Sequence, residues 1–166
     1  MSEYFTKKEL LDIGFSRVGK NCKISNKIRC YSISGSIGTN SRIDDDVILK
    51  GKIIIKNNVH ISRGCNLSGG KDGILMKSFS AISNFTQMFT SSDNYFAPGI
   101  PMATLHNQAI KKFSKFYRGK IVIGKMVLVG TFSLILPNAH IGDYSSIGAF
   151  SIVKGKIKSG IFFFKL

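Results

Sequence analysis

The chain has 166 residues, a length that suits a single domain with one continuous core. Hydrophobic residues make up 43% of it and only 3 residues are proline, so the composition excludes a disordered chain. The 24 lysines and arginines against 9 acidic residues give a net charge of +15, which favours polyanionic partners or small phosphorylated ligands.

Local patterns exclude further classes of protein. No stretch approaches the roughly 20 uninterrupted apolar residues of a membrane-spanning helix, and the charged N-terminus does not resemble a secretory signal. We therefore predict a cytoplasmic protein without a transmembrane segment, and a peripheral association with a membrane surface stays open. No long block of basic residues and no RNA-binding or zinc-finger pattern occurs, which argues against a nucleic-acid partner.

The first predicted element is a short helix within residues 1–17. Thr6 and Glu9 form a capping-box pattern, Leu10 and Leu11 supply an apolar face, and Gly14 offers a stop. Because a solenoid needs its open end covered, we predict that this segment caps the domain formed by residues 18–166.

From residue 37 onward an apolar residue recurs at every sixth position. A period of six fits neither an α-helix nor simple strand alternation. It predicts a triangular column in which each hexad forms one strand and one corner, and in which three hexads complete a coil of about 18 residues. The positions, with a three-residue insertion before Met76 and a long interruption before Ile123, are Ile37, Ile43, Leu49, Ile55, Ile61, Leu67, Met76, Ile82, Met88, Ile123, Val129, Ile135, Ile141, Ile147 and Val153.

The period fails between Met88 and Ile123. Residues 93–120 contain two of the three prolines together with several aromatic and basic residues. A loop of this length within a regular solenoid is usually functional. We therefore predict that it forms a substrate or partner arm.

The repeat resembles that of the hexapeptide-repeat acyltransferases. The pairs Ile123-Gly124, Val129-Gly130, Ile141-Gly142 and Ile147-Gly148 are similar to the family pattern of an aliphatic residue followed by a small or acidic one. The segments ELLDIGFSRVGKNCKIS, SRIDDDVILKGKIIIKNNVHIS and SSDNYF resemble O-acetyltransferases of bacterial surface-polysaccharide pathways. The resemblance covers most of the chain. It implies an all-β fold, a left-handed parallel β-helix with a short N-terminal capping helix and one long extruded loop.

The family also implies a homotrimer with active sites between subunits, and acetyl-CoA as the co-substrate without a metal ion. In its chemistry a base removes a proton from a sugar hydroxyl, the oxygen attacks the thioester, and a backbone N–H stabilises the oxyanion. We therefore predict a sugar O-acetyltransferase of O-antigen or capsule synthesis, whose acceptor is a free, nucleotide-linked or lipid-linked sugar. Two alternatives stay open: an N-acetyltransferase of a nucleotide-linked amino sugar, and a non-catalytic β-helix module.

The catalytic base has three candidates. Related sugar acetyltransferases have a histidine just before the loop, whereas this chain has Asp93 there. Asp93 could act as the base or orient a histidine, although a carboxylate is a weak base. His60 points outward near a corner and in a trimer could approach Asp93 of the partner subunit, while His106 in the loop could swing over the cleft. Ordinary exposed histidines would give the same pattern.

Sugar hydroxyls are predicted to bind in two places. One is the acidic turn that contains Arg42, Asp44 and Asp45, although a solvated turn with Arg42 as counter-ion fits equally well. The other is the start of the loop, at Asn94 and Tyr95.

The coenzyme is predicted to lie along the C-terminal coils. There the family has small residues that admit the thin pantetheine chain, and a lysine could bind the nucleotide phosphates as a point charge. The matching residues are Gly130, Ser133, Gly148, Ala149, Ser151, Lys154 and Lys156. The resemblance also implies a longer C-terminal segment than residues 160–166, so we expect this apolar tail either to pack under the last coil or to weaken coenzyme binding.

Overall fold

The computed structural model describes residues 3–93 and 116–164. Its first element is helix α1 (Lys7–Ile13), and Thr6 is the N-cap. The Thr6 hydroxyl accepts a hydrogen bond from the backbone N–H of Glu9 at 3.3 Å, and the Glu9 carboxylate accepts one from the backbone N–H of Thr6 at 2.7 Å. Gly14 ends the helix and Leu10 packs into the core. The predicted capping box and helix are therefore confirmed.

The rest of the described chain forms a parallel β-helix with three faces. Face 1 contains β1 (Phe15–Val18), β12 (Ile121–Ile123), β15 (His140–Ile141) and β18 (Lys156–Ile157). Face 2 contains β2 (Lys23–Ile24), β4 (Arg42–Ile43), β6 (His60–Ile61), β8 (Ala81–Ile82), β13 (Leu128–Val129), β16 (Ser146–Ile147) and β19 (Phe162–Phe163). Face 3 contains β9 (Gln87–Phe89), β14 (Leu134–Ile135) and β17 (Ile152–Val153).

Faces 3 and 1 are joined by three long strands, β3 (Arg29–Ile37), β5 (Ile48–Ile55) and β7 (Asn66–Met76). Each of these runs round the corner between the two faces, so the two faces form one ten-stranded sheet. Face 2 is a separate sheet of seven parallel strands, one for each coil. The predicted all-β parallel β-helix with a short capping helix is confirmed.

One aliphatic side chain from each strand enters the interior directly above its counterpart in the preceding coil. On face 2, for example, Ile43 pairs with Ile61 and Ile61 pairs with Ile82. All fifteen predicted positions are at most 2% exposed, so the hexad prediction is confirmed. Burial of one such side chain contributes roughly 1.5–3 kcal/mol, and the column is therefore the main source of stability.

The three-residue insertion lies within β7. The register between β5 and β7 shifts on both sides of Gly51, after which Ile55 again pairs with Met76. A β-bulge of this kind takes up extra residues locally and leaves the strands beyond it in place. The insertion therefore changes the corner between faces 3 and 1 without disturbing the column.

Bulky residues occupy several corners in the left-handed backbone region. We expected asparagine or small residues there, as at Asn58 and Asn138. The stacked residues Phe85, Phe132 and Phe150 instead have φ values of 54–59°, which bulky side chains rarely adopt. Their rings lie 5.1 and 5.2 Å apart between neighbouring centroids. Such pairs contribute about 0.5–1.5 kcal/mol each, which offsets the backbone strain.

The stacking of the coils predicts different costs for two matched glycine substitutions. Gly51 and Gly155 have nearly equal φ values of 75° and 77°. A Cβ at Gly51 would lie 2.6 Å from the backbone nitrogen of Gly70, whereas a Cβ at Gly155 would meet nothing within 4 Å. We expect Gly155→Ala to lose about 1 kcal/mol through backbone strain alone. Gly51→Ala should lose roughly 1–3 kcal/mol more through overpacking.

The measurement is the thermal or chemical unfolding midpoint of the two variants, purified in parallel with the unmodified protein. Equal losses for the two variants would show that the contact between the coils at Gly51 is not tight.

Candidate active site

The chain leaves the column after face 3 of the fourth coil and returns to it at face 1 of the fifth. There β10 (Ser91–Asp93) pairs antiparallel with β11 (Phe116–Arg118), and we call this pair the loop hairpin. Asp93 lies opposite the first residue of β11. Opposed residues project from the same face of an antiparallel pair and successive residues alternate, so Asp93 and Arg118 share one face while Tyr117 lies on the other.

The loop hairpin is attached to coils on both sides of it. On the N-terminal side, Arg118 Nε donates to the Asp72 carboxylate of β7 at 3.0 Å. On the C-terminal side, Lys154 Nζ lies 5.8 Å from the centroid of the Tyr117 ring, within reach of a cation–π interaction. Asp93 is therefore held at the corner between faces 3 and 1, with ordered coils above and below it.

A second polar cluster lies on face 2. The Nε2 atom of His60 is 2.8 Å from one oxygen of Asp44, and Arg42 Nε donates to the other oxygen at 2.6 Å. The structure thus brings together the predicted base His60 and two of the predicted sugar-binding residues. Asp45 is engaged elsewhere, because its carboxylate accepts hydrogen bonds from Ser25 Oγ at 2.6 Å and Lys27 Nζ at 2.9 Å.

The electrostatics of this second cluster favour ionised Asp44. Partial burial raises the pKa of the Asp44 carboxyl, but the hydrogen bonds and charges of Arg42 and His60 outweigh burial and lower it overall. The hydrogen bond to Asp44 also raises the pKa of the Arg42 guanidinium. A carboxylate that holds one imidazole nitrogen fixes the orientation of the ring, which is the arrangement of an oriented histidine base. A base role for His60 stays a prediction.

The predicted coenzyme residues fall on different parts of the prism. Gly130, Gly148 and Ala149 lie at the corner between faces 2 and 3, where a Cβ on Gly130 would come within 2.4 Å of the Ala149 nitrogen. Stacking of the coils therefore demands a small residue at Gly130 whether or not a ligand is present. Lys154 follows β17 at the corner between faces 3 and 1, and Lys156 opens β18 on face 1.

Two of the coenzyme candidates lie inside the coil. Ser133 and Ser151 are 0% exposed, and their side chains point into the column. The Ser133 hydroxyl donates to the Gly148 carbonyl at 3.1 Å and lies 3.4 Å from the Ser151 nitrogen. Because neither side chain is exposed, both serines contribute to the packing of the coil, and a coenzyme contact at these two positions stays a prediction.

Three predicted site residues, Asn94, Tyr95 and His106, lie outside the described residues. Within the described ranges, residues 3–93 and 116–164, no group of three or more histidine, cysteine or acidic side chains could hold a metal ion. In the same ranges no helix is long and apolar enough to cross a membrane.

Tyr117 and Arg118 were missed as candidate site residues. They follow a run of basic and aromatic residues without a recognisable motif, and their partners Asp72 and Lys154 are distant in sequence. The sequence did contain one signal for them. The hexad period resumes on face 1 at Ile123, so the residues just before it must lie at the corner that contains Asp93.

The Asp44 cluster predicts a pH-dependent loss of stability. Because its pKa is lowered in the folded state, the stability from Asp44 is present above the ordinary carboxyl pKa of about 3.9 and is lost as the pH falls through the folded value. We expect Asp44→Asn to lose roughly 1–3 kcal/mol at pH 7, and this difference from the unmodified protein should shrink below about pH 4.

The measurement is the unfolding midpoint at a series of pH values from about 3 to about 7, a range that includes the titration of the carboxyl group. Asp46→Asn is the matched control, because the Asp46 side chain is 54% exposed and pairs only with Arg63 among the ion pairs of the described chain. A difference for Asp44→Asn that stays constant with pH would contradict the assignment.

Comparison with known proteins gives a consistent family. A family model described as bacterial transferase hexapeptide (six repeats) matches residues 120–155. A dTDP-4-amino-4,6-dideoxy-D-glucose acyltransferase from Escherichia coli is 30% identical over 155 residues, which cover 91% of this chain and 78% of the relative.

Solved structures agree with these matches. A serine-to-cysteine variant of AntD, an N-acyltransferase from Bacillus cereus, was solved with dTDP-4-amino-4,6-dideoxyglucose and coenzyme A. It is 35% identical with a TM-score of 0.89, and the match covers 100% of this chain and 87% of that one. The acetyltransferase domain of PglB from Neisseria gonorrhoeae is 16% identical with a TM-score of 0.59, and the match covers 84% of this chain and 52% of that one. At this identity the similarity shows a shared fold alone. The chain belongs to the hexapeptide-repeat acyltransferases.

Proposed function

We propose that this chain is a coenzyme A-dependent N-acyltransferase that acylates the amino group of a nucleotide-linked amino sugar. The observation that carries the proposal is the position of Asp93, a carboxylate held on the loop hairpin between N-terminal and C-terminal coils. The E. coli and B. cereus relatives support it, because their names and bound ligands specify dTDP-linked 4-amino sugars and coenzyme A. Our first prediction from the sequence was a hydroxyl acceptor, and the amine was the alternative.

The acceptor chemistry suits a carboxylate. A sugar hydroxyl is, like water, a very weak acid and a poor nucleophile while it is neutral, so it needs a general base that takes its proton as it attacks a thioester. A neutral amine attacks the thioester carbonyl directly. The new N–C bond gives a tetrahedral intermediate whose nitrogen carries one extra proton, and the C–S bond then breaks. Asp93 would accept the nitrogen proton, which finally reaches the departing thiolate to give free coenzyme A. The acyl group itself stays open, since the B. cereus enzyme was also solved with 3-hydroxybutyryl-CoA.

The B. cereus structures direct attention to two positions. Several of them carry a replaced aspartate or a replaced serine. We take Asp93 and Ser83 as the candidates for these two positions in this chain. Ser83 follows β8 at the corner between faces 2 and 3, whereas Asp93 stands at the corner between faces 3 and 1. The homotrimer that the sequence predicted would bring these two corners together between neighbouring subunits.

In this arrangement each active site would combine two different corners. One subunit supplies Asp93 on the loop hairpin, together with Lys154 at the same corner. Its neighbour supplies the corner that contains Ser83, Gly130 and Gly148. Pantetheine would lie along this second corner, beside the exposed ring of Phe132. A role in a surface-polysaccharide pathway and a cytoplasmic location stay predictions from the sequence.

A sugar hydroxyl is the second candidate acceptor. The observation that favours it is the hydrogen bond of 2.8 Å between His60 and Asp44, because an oriented histidine is the stronger base that a hydroxyl requires. The decisive variant for this reading is His60→Ala, which would abolish turnover of a hydroxyl-bearing acceptor.

Release of free thiol from acyl-CoA tests the proposed function. We expect turnover with dTDP-4-amino-4,6-dideoxyglucose and none with the corresponding sugar that carries a hydroxyl at the same carbon. Asp93→Asn should lower kcat by about 10²–10⁴-fold, the usual contribution of a proton-transferring side chain. The matched control Asp12→Asn changes an exposed carboxylate on helix α1 and should leave kcat unchanged.

Two results would contradict the proposal. One is equal turnover of the amino and hydroxyl sugars, and the other is an Asp93→Asn variant with unchanged kcat towards the amino sugar.

A further inference from the structure

A cationic groove runs along the corner between faces 3 and 1, in the coils that precede the loop hairpin. Its volume is about 510 Å³, within the range of roughly 300–1,000 Å³ that is usual for small-molecule sites. Basic side chains form its walls, and serine and glycine form its floor. The lining residues are Ser32, Ser34, Lys50, Gly51, Lys52, Gly70, Lys71 and Arg118.

The floor of the groove is shaped by the insertion in β7. Gly51 and Gly70 face each other where the register shifts, and both have left-handed φ values, 75° and 48°. Because neither residue carries a side chain, backbone atoms line the groove there. A ligand can therefore approach the backbone closely between the surrounding lysines.

Among the described residues, three of the four basic side chains of the groove have no carboxylate partner. All nine acidic residues lie within the described ranges, and none of them forms an ion pair there with Lys50, Lys52 or Lys71. Only Arg118 has a carboxylate partner, Asp72 at 3.0 Å. Residues 94–115, outside the described ranges, contain no aspartate or glutamate in sequence. Exposed cations gathered in a concave site attract anions, and phosphate oxygens are their strongest biological partners.

The groove is continuous with the loop hairpin. Arg118 belongs to both, and it projects from the same face of the hairpin as Asp93. The two residues are diagonal neighbours across the two strands, which places them about 7–8 Å apart. In a nucleotide-linked sugar the diphosphate is attached at the anomeric carbon, and the amine of a 4-amino sugar lies across the ring. The separation therefore matches a molecule whose diphosphate occupies the groove and whose amine reaches Asp93.

We propose that this groove binds the diphosphate of the nucleotide-linked acceptor, with Lys50, Lys52, Lys71 and Arg118 as the anion-binding side chains. This inference rests on the proposed function. Coenzyme A also carries a diphosphate, but the groove lies on the N-terminal side of the loop hairpin, whereas Lys154 and the small-residue corner lie on the C-terminal side. The groove therefore belongs to the acceptor.

Calorimetric titration with dTDP, thymidine and coenzyme A, in the absence of acyl donor, tests the assignment. The variants are Lys50→Gln and Lys71→Gln, singly and combined, because both side chains are exposed and their loss should leave the fold intact. Lys20→Gln is the matched control, since it removes the same charge at an exposed corner between faces 1 and 2. We expect the combined variant to raise the Kd for dTDP at least about tenfold, with the Kd for coenzyme A unchanged.

Three outcomes would overturn the assignment: an unchanged Kd for dTDP in the combined variant, an equal weakening of coenzyme A binding, or an unmodified protein that does not bind dTDP. Thymidine, which lacks phosphate, should bind the variants and the unmodified protein equally weakly. The proposed function can fail separately. If the protein bound dTDP in the groove but transferred no acyl group, the N-acyltransferase proposal would be wrong and the diphosphate-site proposal would stand.

Discussion

The stacking of one aliphatic side chain per strand in a narrow column is the constraint on which the rest of this structure depends. Each strand must place its inward residue above that of the preceding coil, as Ile61 lies between Ile43 and Ile82. A strand therefore cannot gain or lose a residue without moving a side chain out of the core. Only the corners are free to change in length.

Both departures from the period follow from this constraint. The three-residue insertion in β7 and the long loop after Asp93 occur at the same corner, between faces 3 and 1. The insertion opens the cationic groove, and the loop departs through the hairpin that carries Asp93. The insertion and the loop hairpin thus lie at the same corner, where the repeat is interrupted.

Much of the fold could be predicted because the column leaves its period in the sequence, whereas side-chain pairing across coils depends on register. The fifteen aliphatic positions and the capping box needed only local spacing. The pairing of His60 with Asp44, in contrast, depends on how two successive coils align. The burial of Ser133 and Ser151 follows from the same inward position that identified their hexads, and it gives their side chains a structural role inside the coil.

The link between Arg118 and Asp72 could not be predicted, because it spans the long interruption of the repeat. It is nevertheless the contact that ties the groove to the loop hairpin. In this chain the regular part of the repeat reveals the fold, while Asp93 and Arg118, for which we propose roles in reaction and binding, lie where the repeat breaks.

The most direct measurement is the site of acylation in the product. The protein would be incubated with an acyl-CoA and a dTDP-linked 4-amino sugar labelled with ¹⁵N at the amine, and the product examined by proton–nitrogen correlation NMR. The account predicts a new amide signal that correlates the labelled nitrogen with one directly bonded proton. A product without this signal, acylated on a sugar hydroxyl instead, would contradict it.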